Sequence, residues 1–388
     1  MNIRDDFLYY SRPCFDDDEI NSVTDVLRSG WWTKGNRTVE FENEFAARVG
    51  AKYALAVNSC TAALHLAMAV YGIGEGDEVI TTPMTFCSTV NTVAVCGATP
   101  VLVDIDPETG LIDPDEIERA ITERTKAIVP VHYAGLVCDM DRINDIAGRR
   151  NLRVIEDAAH AFGSKYKGEP VGSFGNATAY SFYVTKNLAT GEGGMLTSDD
   201  PDFIAKARTL ALHGMNADAW KRYGSKGSWR YSVTEFGFKY NTTDIASALG
   251  LAQLRKFDSM QARRHELAAC YNSRFDAAEG VDRLVVPQNV EQSDHLYVIR
   301  LDLDKLNIDR DEFICELTEY KIGTSVHFIP IHFHEVYRRE FGMHEGMYPK
   351  CESFFDRIIS LPLYPTMTME DAEYVADAVC EIIAKHRK

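Results

Sequence analysis

Short apolar runs alternate with helical stretches between about residues 53 and 196, and this alternation limits the possible folds more than any other feature. The runs are largely continuous rather than apolar at every second position, as in "YALAV" and "KAIVPVHY". Such strands, each followed by a helix, are typical of a mostly parallel sheet covered on both faces. "GGMLTSDD" follows the run "ATAYSFYV" after a short glycine turn, so we expect an antiparallel partner strand there. The sequence therefore predicts an α/β fold.

The pattern changes beyond about Leu254. A long charged helix, "FDSMQARRHELAACYNSRFDAA", is followed by the strand "HLYVIRLDL" and the helix "RDEFICELTEYKIG". A terminal helix begins with the capping pattern from Thr368 to Asp371. We therefore predict a large domain over residues 1–255 and a smaller α+β domain over residues 256–388.

Composition restricts the partners and the compartment. The 388 residues carry a formal net charge of −17, which speaks against nucleic acid or an anionic membrane as a partner. The nine cysteines contain no CxxC pair and fit a reduced cytoplasm better than a disulfide framework. No apolar run approaches membrane-spanning length. We expect a soluble, cytoplasmic protein.

Polar, charged or aromatic side chains follow four of the predicted strands. In an open α/β sheet, ligands bind outside the carboxyl ends of the strands. "NSCTAALHL" leads from the first strand into a helix, whose free N–H groups and positive dipole end favour an anion. Phe86 follows a second strand, Asp157 follows "LRVIE", and Lys186 follows "TAYSFYV", which contains Ser181.

Each feature alone has an ordinary structural explanation. Ser59 or Thr61 would cap the helix, Phe86 would belong to the core, Asp157 would form an ion pair, and Lys186 would lie at the surface. At one sheet edge, however, the four together match what pyridoxal 5′-phosphate (PLP) needs. Its phosphate needs N–H groups and hydroxyls, its ring a flat partner, its pyridine nitrogen a carboxylate, and its aldehyde a lysine amine.

Several longer segments resemble the DegT/StrS-type sugar-nucleotide aminotransferases, and the likeness covers nearly the whole chain. The segments are "SGWWTKG", "NSCTAALHL", "GDEVITTPMTF", "VIEDAAHAFGSKYKGEPVG", "SFYVTKNLATGEGGML", "GFKYNTTDIASALGLAQL", "SVHFIPIH" and "ISLPLYPTMT". The resemblance implies the aspartate-aminotransferase-like fold, called fold type I, in which PLP is the cofactor. It also implies a homodimer with both active sites at the interface.

The resemblance further implies roles for individual residues. Lys186 would hold the cofactor as a Schiff base and then move the proton during transamination, and Asp157 would pair with the pyridine nitrogen. The other implied cofactor contacts are His160 beside the ring, Phe86 stacked on the ring, Cys60, Thr61 and Ser181 at the phosphate, and Asn241 reaching the phosphate from the partner subunit.

Three groups of residues are candidates for binding the substrate. The resemblance places Trp32 and Thr33 in a loop bordering the substrate, and either His327 or His332 near the sugar. The segment "HGMNADAWKRYGSKGSWRYSV" offers the cations Lys221, Arg222 and Arg230 to a nucleotide diphosphate, but an ordinary surface loop explains it equally well.

"HFIPIHFHE" also raises the question of a metal, but no second ligand cluster accompanies it, so we predict no metal site.

The combined interpretation is transamination of a nucleotide-linked keto-sugar with L-glutamate as the amino donor. A 6-deoxy-4-keto hexose is the acceptor expected from the motif resemblance. Three alternatives stay open: a C3-specific sugar aminotransferase, another fold type I enzyme such as a lyase, and a non-catalytic PLP-binding regulator.

Overall fold

The computed structural model describes residues 3–215 and 231–388. The strands of these ranges are β1 (Tyr53–Val57), β2 (Glu78–Thr81), β3 (Thr99–Leu102), β4 (Thr125–Ile128), β5 (Arg153–Asp157), β6 (Lys165–Tyr166), β7 (Glu169–Pro170), β8 (Ala177–Ser181), β9 (Gly194–Ser198), β10 (Val281–Arg283), β11 (Val290–Glu291), β12 (Tyr297–Leu301) and β13 (Ile358–Leu361). The α-helices are α1 (Asp17–Ser29), α2 (Asn36–Val49), α3 (Cys60–Val70), α4 (Cys87–Val95), α5 (Pro114–Ala120), α6 (Met140–Arg150), α7 (Pro201–Leu210), α8 (Asp244–Phe275), α9 (Arg310–Glu319), α10 (Glu335–Phe341), α11 (Pro349–Phe355) and α12 (Met369–His386).

The central sheet has the strand order β1-β9-β8-β5-β4-β2-β3. Strands β8, β5, β4, β2 and β3 pair in parallel, whereas β9 is antiparallel to both of its neighbours, β1 and β8. The mostly parallel sheet is therefore confirmed, and so is the antiparallel strand expected at "GGMLTSDD". There are also two small antiparallel sheets, β10-β12-β13 and β11-β6-β7, and the strands β6 and β7 of the second lie between β5 and β8 in the chain.

Both faces of the central sheet are covered, which explains why its strands read as continuous apolar runs. Neighbouring residues of one strand point to opposite faces. Ile128 and Val154 pack into one apolar cluster with α2, α6 and α8, while Ala127 and Ile155 pack into another with α3 and α7. Most residues of the central strands are thus buried whichever way they point, and the exposed ones, such as Tyr53 and Arg153, lie at or near the strand starts.

The 32-residue helix α8 connects the central sheet to the C-terminal part of the chain. Phe257 and Met260 belong to the apolar cluster of the sheet, whereas Leu267 and Tyr271 belong to a second core with β12, β13 and α12. Most of the predicted helix "FDSMQARRHELAACYNSRFDAA" forms the C-terminal part of α8, which begins earlier, at Asp244. The predicted boundary between residues 255 and 256 falls inside α8.

The starts of helices α3 and α12 follow from local capping. Ser59 caps α3, its hydroxyl accepting a hydrogen bond from the Ala62 N–H at 3.1 Å. Thr368 and Asp371 form the predicted capping box of α12. In the described ranges we find no helix that combines the length and the apolar character needed to cross a membrane.

Candidate active site

A cavity of about 490 Å³ lies at the carboxyl ends of β5 and β8, against the start of α3. This is the sheet edge at which the sequence placed a ligand. The predicted residues that line it are Cys60, Thr61, Phe86, Asp157, His160, Ser181, Lys186 and His327. The structure therefore brings together residues that are up to 267 positions apart in the chain (Cys60 to His327).

Lys186 lies on the loop that follows β8, not at the strand end itself. The strand stops at Ser181 because its partner β9 begins only at Gly194, and Phe182 closes the loop through a bond from its N–H to the Gly193 carbonyl at 2.9 Å. Lys186 is partly buried, and its burial lowers the pKa of the amine to about 8, although Cys60 and Asp157 oppose this shift. A useful fraction of the amine is therefore neutral and nucleophilic near neutral pH.

Asp157 is the last residue of β5 and is only 4% exposed. Its Oδ2 accepts a hydrogen bond from the Thr89 hydroxyl at 2.7 Å, and its Oδ1 accepts one from the Ala159 N–H at 3.2 Å. Burial raises the pKa of Asp157, and these hydrogen bonds and the Lys186 amine work in the opposite direction. A buried, oriented carboxylate of this kind suits a cationic partner such as a protonated ring nitrogen.

The start of α3 provides an anion cradle. The N–H groups of Cys60 and Thr61 precede the first hydrogen bond within the helix, and Ser59 already satisfies a later N–H. A Cβ added at Gly194 would lie 2.6 Å from the backbone nitrogen of Cys60, so glycine allows β9 to approach the helix start this closely. The Ser181 hydroxyl lines the same cavity.

Aromatic rings form a further part of the cavity wall. Phe86 is 57% exposed at the cavity edge, and its ring centroid is 5.8 Å from that of Phe328. His160 stacks on Phe328 with centroids 5.6 Å apart and an angle of 26° between the planes. Burial lowers the pKa of His160 well below its usual range, and its Nδ1 accepts the Ala134 N–H at 3.3 Å, so the ring is neutral.

These groups fit PLP. The helix start and the nearby hydroxyls suit its phosphate, the flat side chains suit its ring, Asp157 suits its pyridine nitrogen, and Lys186 suits its aldehyde. All four requirements meet in one cavity.

Sequence reasoning missed several lining residues. His295 and Tyr10 line the cavity, and the Thr89 hydroxyl donates a hydrogen bond to Asp157. Thr89 is three residues beyond Phe86, so the helical spacing of "FCST" could have revealed it. His295 precedes β12 and Tyr10 belongs to the N-terminal segment, and no local pattern connects either residue to the sheet edge.

Other predicted residues do not line the cavity of the described chain. The Trp32 indole is 55% exposed and donates to the Leu27 carbonyl at 3.2 Å, and the backbones of Thr33 and Asn241 pair with other segments. Lys221 and Arg230 lie outside the described residues, as does Arg222.

His332, one of the two histidines expected near the sugar, points away from the cavity. It is fully buried, and its Nε2 is 2.9 Å from a carboxylate oxygen of Glu352. Of the two candidates, the structure brings only His327 to the site. Over residues 3–215 and 231–388, no three His, Cys, Asp or Glu side chains are grouped as a metal site would require.

Comparisons with known proteins agree with this geometry. The DegT/DnrJ/EryC1/StrS aminotransferase family matches residues 13–380. The spore coat polysaccharide biosynthesis protein SpsC of Bacillus subtilis is 52% identical over 381 residues, which are 98% of each chain.

Two solved structures show the same fold. Spr1654 from Streptococcus pneumoniae, solved in PLP and PMP forms, superposes in its PMP form with a TM-score of 0.92, at 35% identity over 97% of this chain and 99% of that one. PseC of Helicobacter pylori, an aminotransferase involved in pseudoaminic acid biosynthesis, superposes with a TM-score of 0.88, at 30% identity over 98% of this chain and 100% of that one. The predicted fold type I is confirmed, and the chain belongs to the DegT/DnrJ/EryC1/StrS aminotransferase family.

Proposed function

We propose that this chain is a PLP-dependent aminotransferase that converts the ketone of a nucleotide-linked 6-deoxy-4-keto hexose into an amine, with L-glutamate as the donor. The observation that carries the proposal is the placement of Lys186 and Asp157 in one cavity beside an anion cradle. The relatives support a sugar substrate, because SpsC is named for spore coat polysaccharide biosynthesis and PseC acts in pseudoaminic acid biosynthesis.

When bound, PLP supplies an aldehyde for an amine to attack and a ring that delocalises an electron pair. Lys186 supplies the attacking amine, and its pKa of about 8 keeps part of it unprotonated near neutral pH. The same amine would be the base that takes and holds a proton from the donor's α-carbon, and in the second half-reaction it would be the acid that delivers a proton to the sugar carbon. Asp157 keeps a proton on the ring nitrogen, so that the ring can accept negative charge.

His327 is the residue we assign to the sugar. Its Nδ1 lies 2.9 Å from the Ser360 hydroxyl, and burial lowers the pKa of the imidazole to about 4. It is therefore neutral at physiological pH and can hydrogen-bond a sugar hydroxyl without adding charge to the cavity.

The proposal includes a cytoplasmic homodimer. Phe236 is fully exposed, and the exposed Trp32 and the polar Asn241 do not reach the cavity of their own chain. We assign Trp32, Thr33 and Asn241 to a site shared with a second copy, and Lys221 and Arg230 to the nucleotide diphosphate. The chain is acidic overall, with a formal net charge of −17, so it needs local cations to bind a diphosphate.

The test is product analysis with the purified protein, PLP, L-glutamate and a nucleotide 4-keto-6-deoxyhexose. We expect mass spectrometry to show the carbonyl replaced by a primary amine, with 2-oxoglutarate formed in equal amount. Lys186→Ala should fold and form no product, because it lacks both the attacking amine and the base. Amination only of a 3-keto isomer would refute the C4 assignment, and turnover by Lys186→Ala near the native rate would refute the mechanism.

A further inference from the structure

Asn187, the residue after Lys186, is buried and its side-chain amide makes three hydrogen bonds. Its Nδ2 donates to the Ser293 carbonyl at 2.8 Å and to Oε1 of Gln261 at 3.2 Å. Its Oδ1 lies 2.9 Å from Nδ1 of His295, a residue that lines the cavity. Both polar atoms of the Asn187 side chain, next to the proposed attachment lysine, are thus hydrogen-bonded.

These contacts determine the protonation pattern of His295. Both donors of the Asn187 amide face oxygen atoms, so its Oδ1 must be the acceptor and His295 Nδ1 must carry a proton. Burial lowers the pKa of His295 well below its usual range, with smaller contributions from His160 and Lys186. The imidazole is therefore neutral, and its Nε2 is unprotonated.

The same network joins the lysine loop to three other parts of the chain. Gln261 lies on α8 and donates to the Ser293 carbonyl at 2.7 Å. The Ser293 hydroxyl donates to the His160 carbonyl at 3.0 Å, and the rings of His160 and His295 lie 4.5 Å apart between centroids. Any displacement of His295 would therefore be transmitted to the loop that carries Lys186.

We propose that His295 is a positioning residue for Lys186, acting through its Nδ1–H bond to Asn187. The inference rests on the proposed role of Lys186 and adds a residue to it. Because Asn187 is joined to Lys186 by a peptide bond, the His295 bond restricts where the amine can sit in the cavity. A misplacement of about 1 Å at a reacting group can cost on the order of 100-fold in rate.

Two conservative variants separate this role from direct contact with a ligand. In His295→Asn, the amide nitrogen can occupy the place of Nδ1 and keep the bond to Asn187. In His295→Gln, the amide reaches toward the position of Nε2 and loses that bond. His295→Phe removes both, and Tyr271→Phe, which loses a buried bond of 2.8 Å to the Pro362 carbonyl in the C-terminal core, is the control.

The measurements are kcat, the KM for L-glutamate, and the dissociation constant of PLP from the apoenzyme, determined by absorbance titration. We expect His295→Phe and His295→Gln to lower kcat by about 10- to 100-fold with KM within about threefold, because the interaction is needed in the transition state. PLP should dissociate about tenfold more readily from His295→Phe, since attachment to Lys186 is impaired. The kcat of His295→Asn should stay within about fivefold of the wild-type value, and the kcat of the control Tyr271→Phe should equal the wild-type value.

The proposal is overturned if His295→Phe keeps native kcat and PLP affinity, or if Gln restores activity and Asn does not. If His295→Phe fails to fold, the more conservative His295→Gln serves instead, because it removes the bond to Asn187. Native kcat and PLP affinity in that variant would equally overturn the proposal. Turnover by Lys186→Ala would instead refute the proposed function, which is a separate failure.

Discussion

Replacing Lys186 with methionine should stabilise the PLP-free enzyme, and the gain should disappear as the pH rises. Lys186→Met keeps an unbranched side chain but removes an amine whose burial lowers its pKa from 10.5 to about 8. Between these two values the unfolded chain binds more protons at this position than the folded chain does. The free energy of unfolding of the wild type therefore rises with pH through this window. The variant has no amine at this position, so its free energy of unfolding lacks this pH-dependent rise.

The expected size follows from the two pKa values. One pKa unit corresponds to about 1.4 kcal/mol, so the charged amine costs the folded apoenzyme about 3 kcal/mol at pH 7. At pH 10 the folded amine is already neutral and the unfolded one is only partly charged, which leaves about 1 kcal/mol. The advantage of Lys186→Met should thus shrink by about 2 kcal/mol between pH 7 and pH 10.

Urea unfolding of the apoenzymes at both pH values, at one protein concentration, measures this change. Lys206→Met is the matched control, because Lys206 is exposed on α7 and its replacement should alter stability equally at both pH values. A stability difference for Lys186→Met that stays the same at pH 7 and pH 10 would refute the argument that burial depresses this amine. So would an apoenzyme that the substitution destabilises at pH 7.

Four further substitutions test other parts of the structure. Asp157→Asn should still bind PLP but lower kcat on the order of 10²- to 10⁴-fold, and steady-state turnover at the native rate would show that the carboxylate is not needed. Gly194→Ala places a methyl group against the backbone of Ser59 and Cys60, so we expect a loss of about 1–3 kcal/mol in urea unfolding and weaker PLP binding; an unchanged midpoint would contradict the close approach. His327→Phe should raise the KM for the keto-sugar, whereas His332→Phe should lower the melting temperature without changing KM, and the reverse pattern in kinetic assays would contradict their placement.

Much of the site was predictable because its residues directly follow strands. Asp157 ends β5 and Ser59 precedes α3, so the sheet topology alone brings them to one edge. The same reasoning located Lys186 only approximately, since the strand ends at Ser181 and the lysine belongs to the following loop. Local patterns therefore predicted which edge holds the site more reliably than how each side chain reaches it.

The remaining features depend on contacts between distant parts of the chain. His295 reaches the cavity because the segment before β12 packs between the lysine loop and α8, and no spacing rule connects residues 187, 261 and 295. His327 and His332 are five positions apart in similar surroundings in the sequence. A short turn at Ile331–Phe333 and a partner at Glu352 direct only the second one into the protein.

The visible absorption spectrum of the PLP-loaded protein, recorded before and after adding L-glutamate, tests the central claim most directly. We predict a visible band that is lost when glutamate is added and returns when a nucleotide keto-sugar follows, with Lys186→Ala showing neither change. Borohydride reduction of the resting enzyme should fix the cofactor on the peptide that contains Lys186. A band that glutamate leaves unchanged, or a cofactor fixed on a different lysine, would contradict the account.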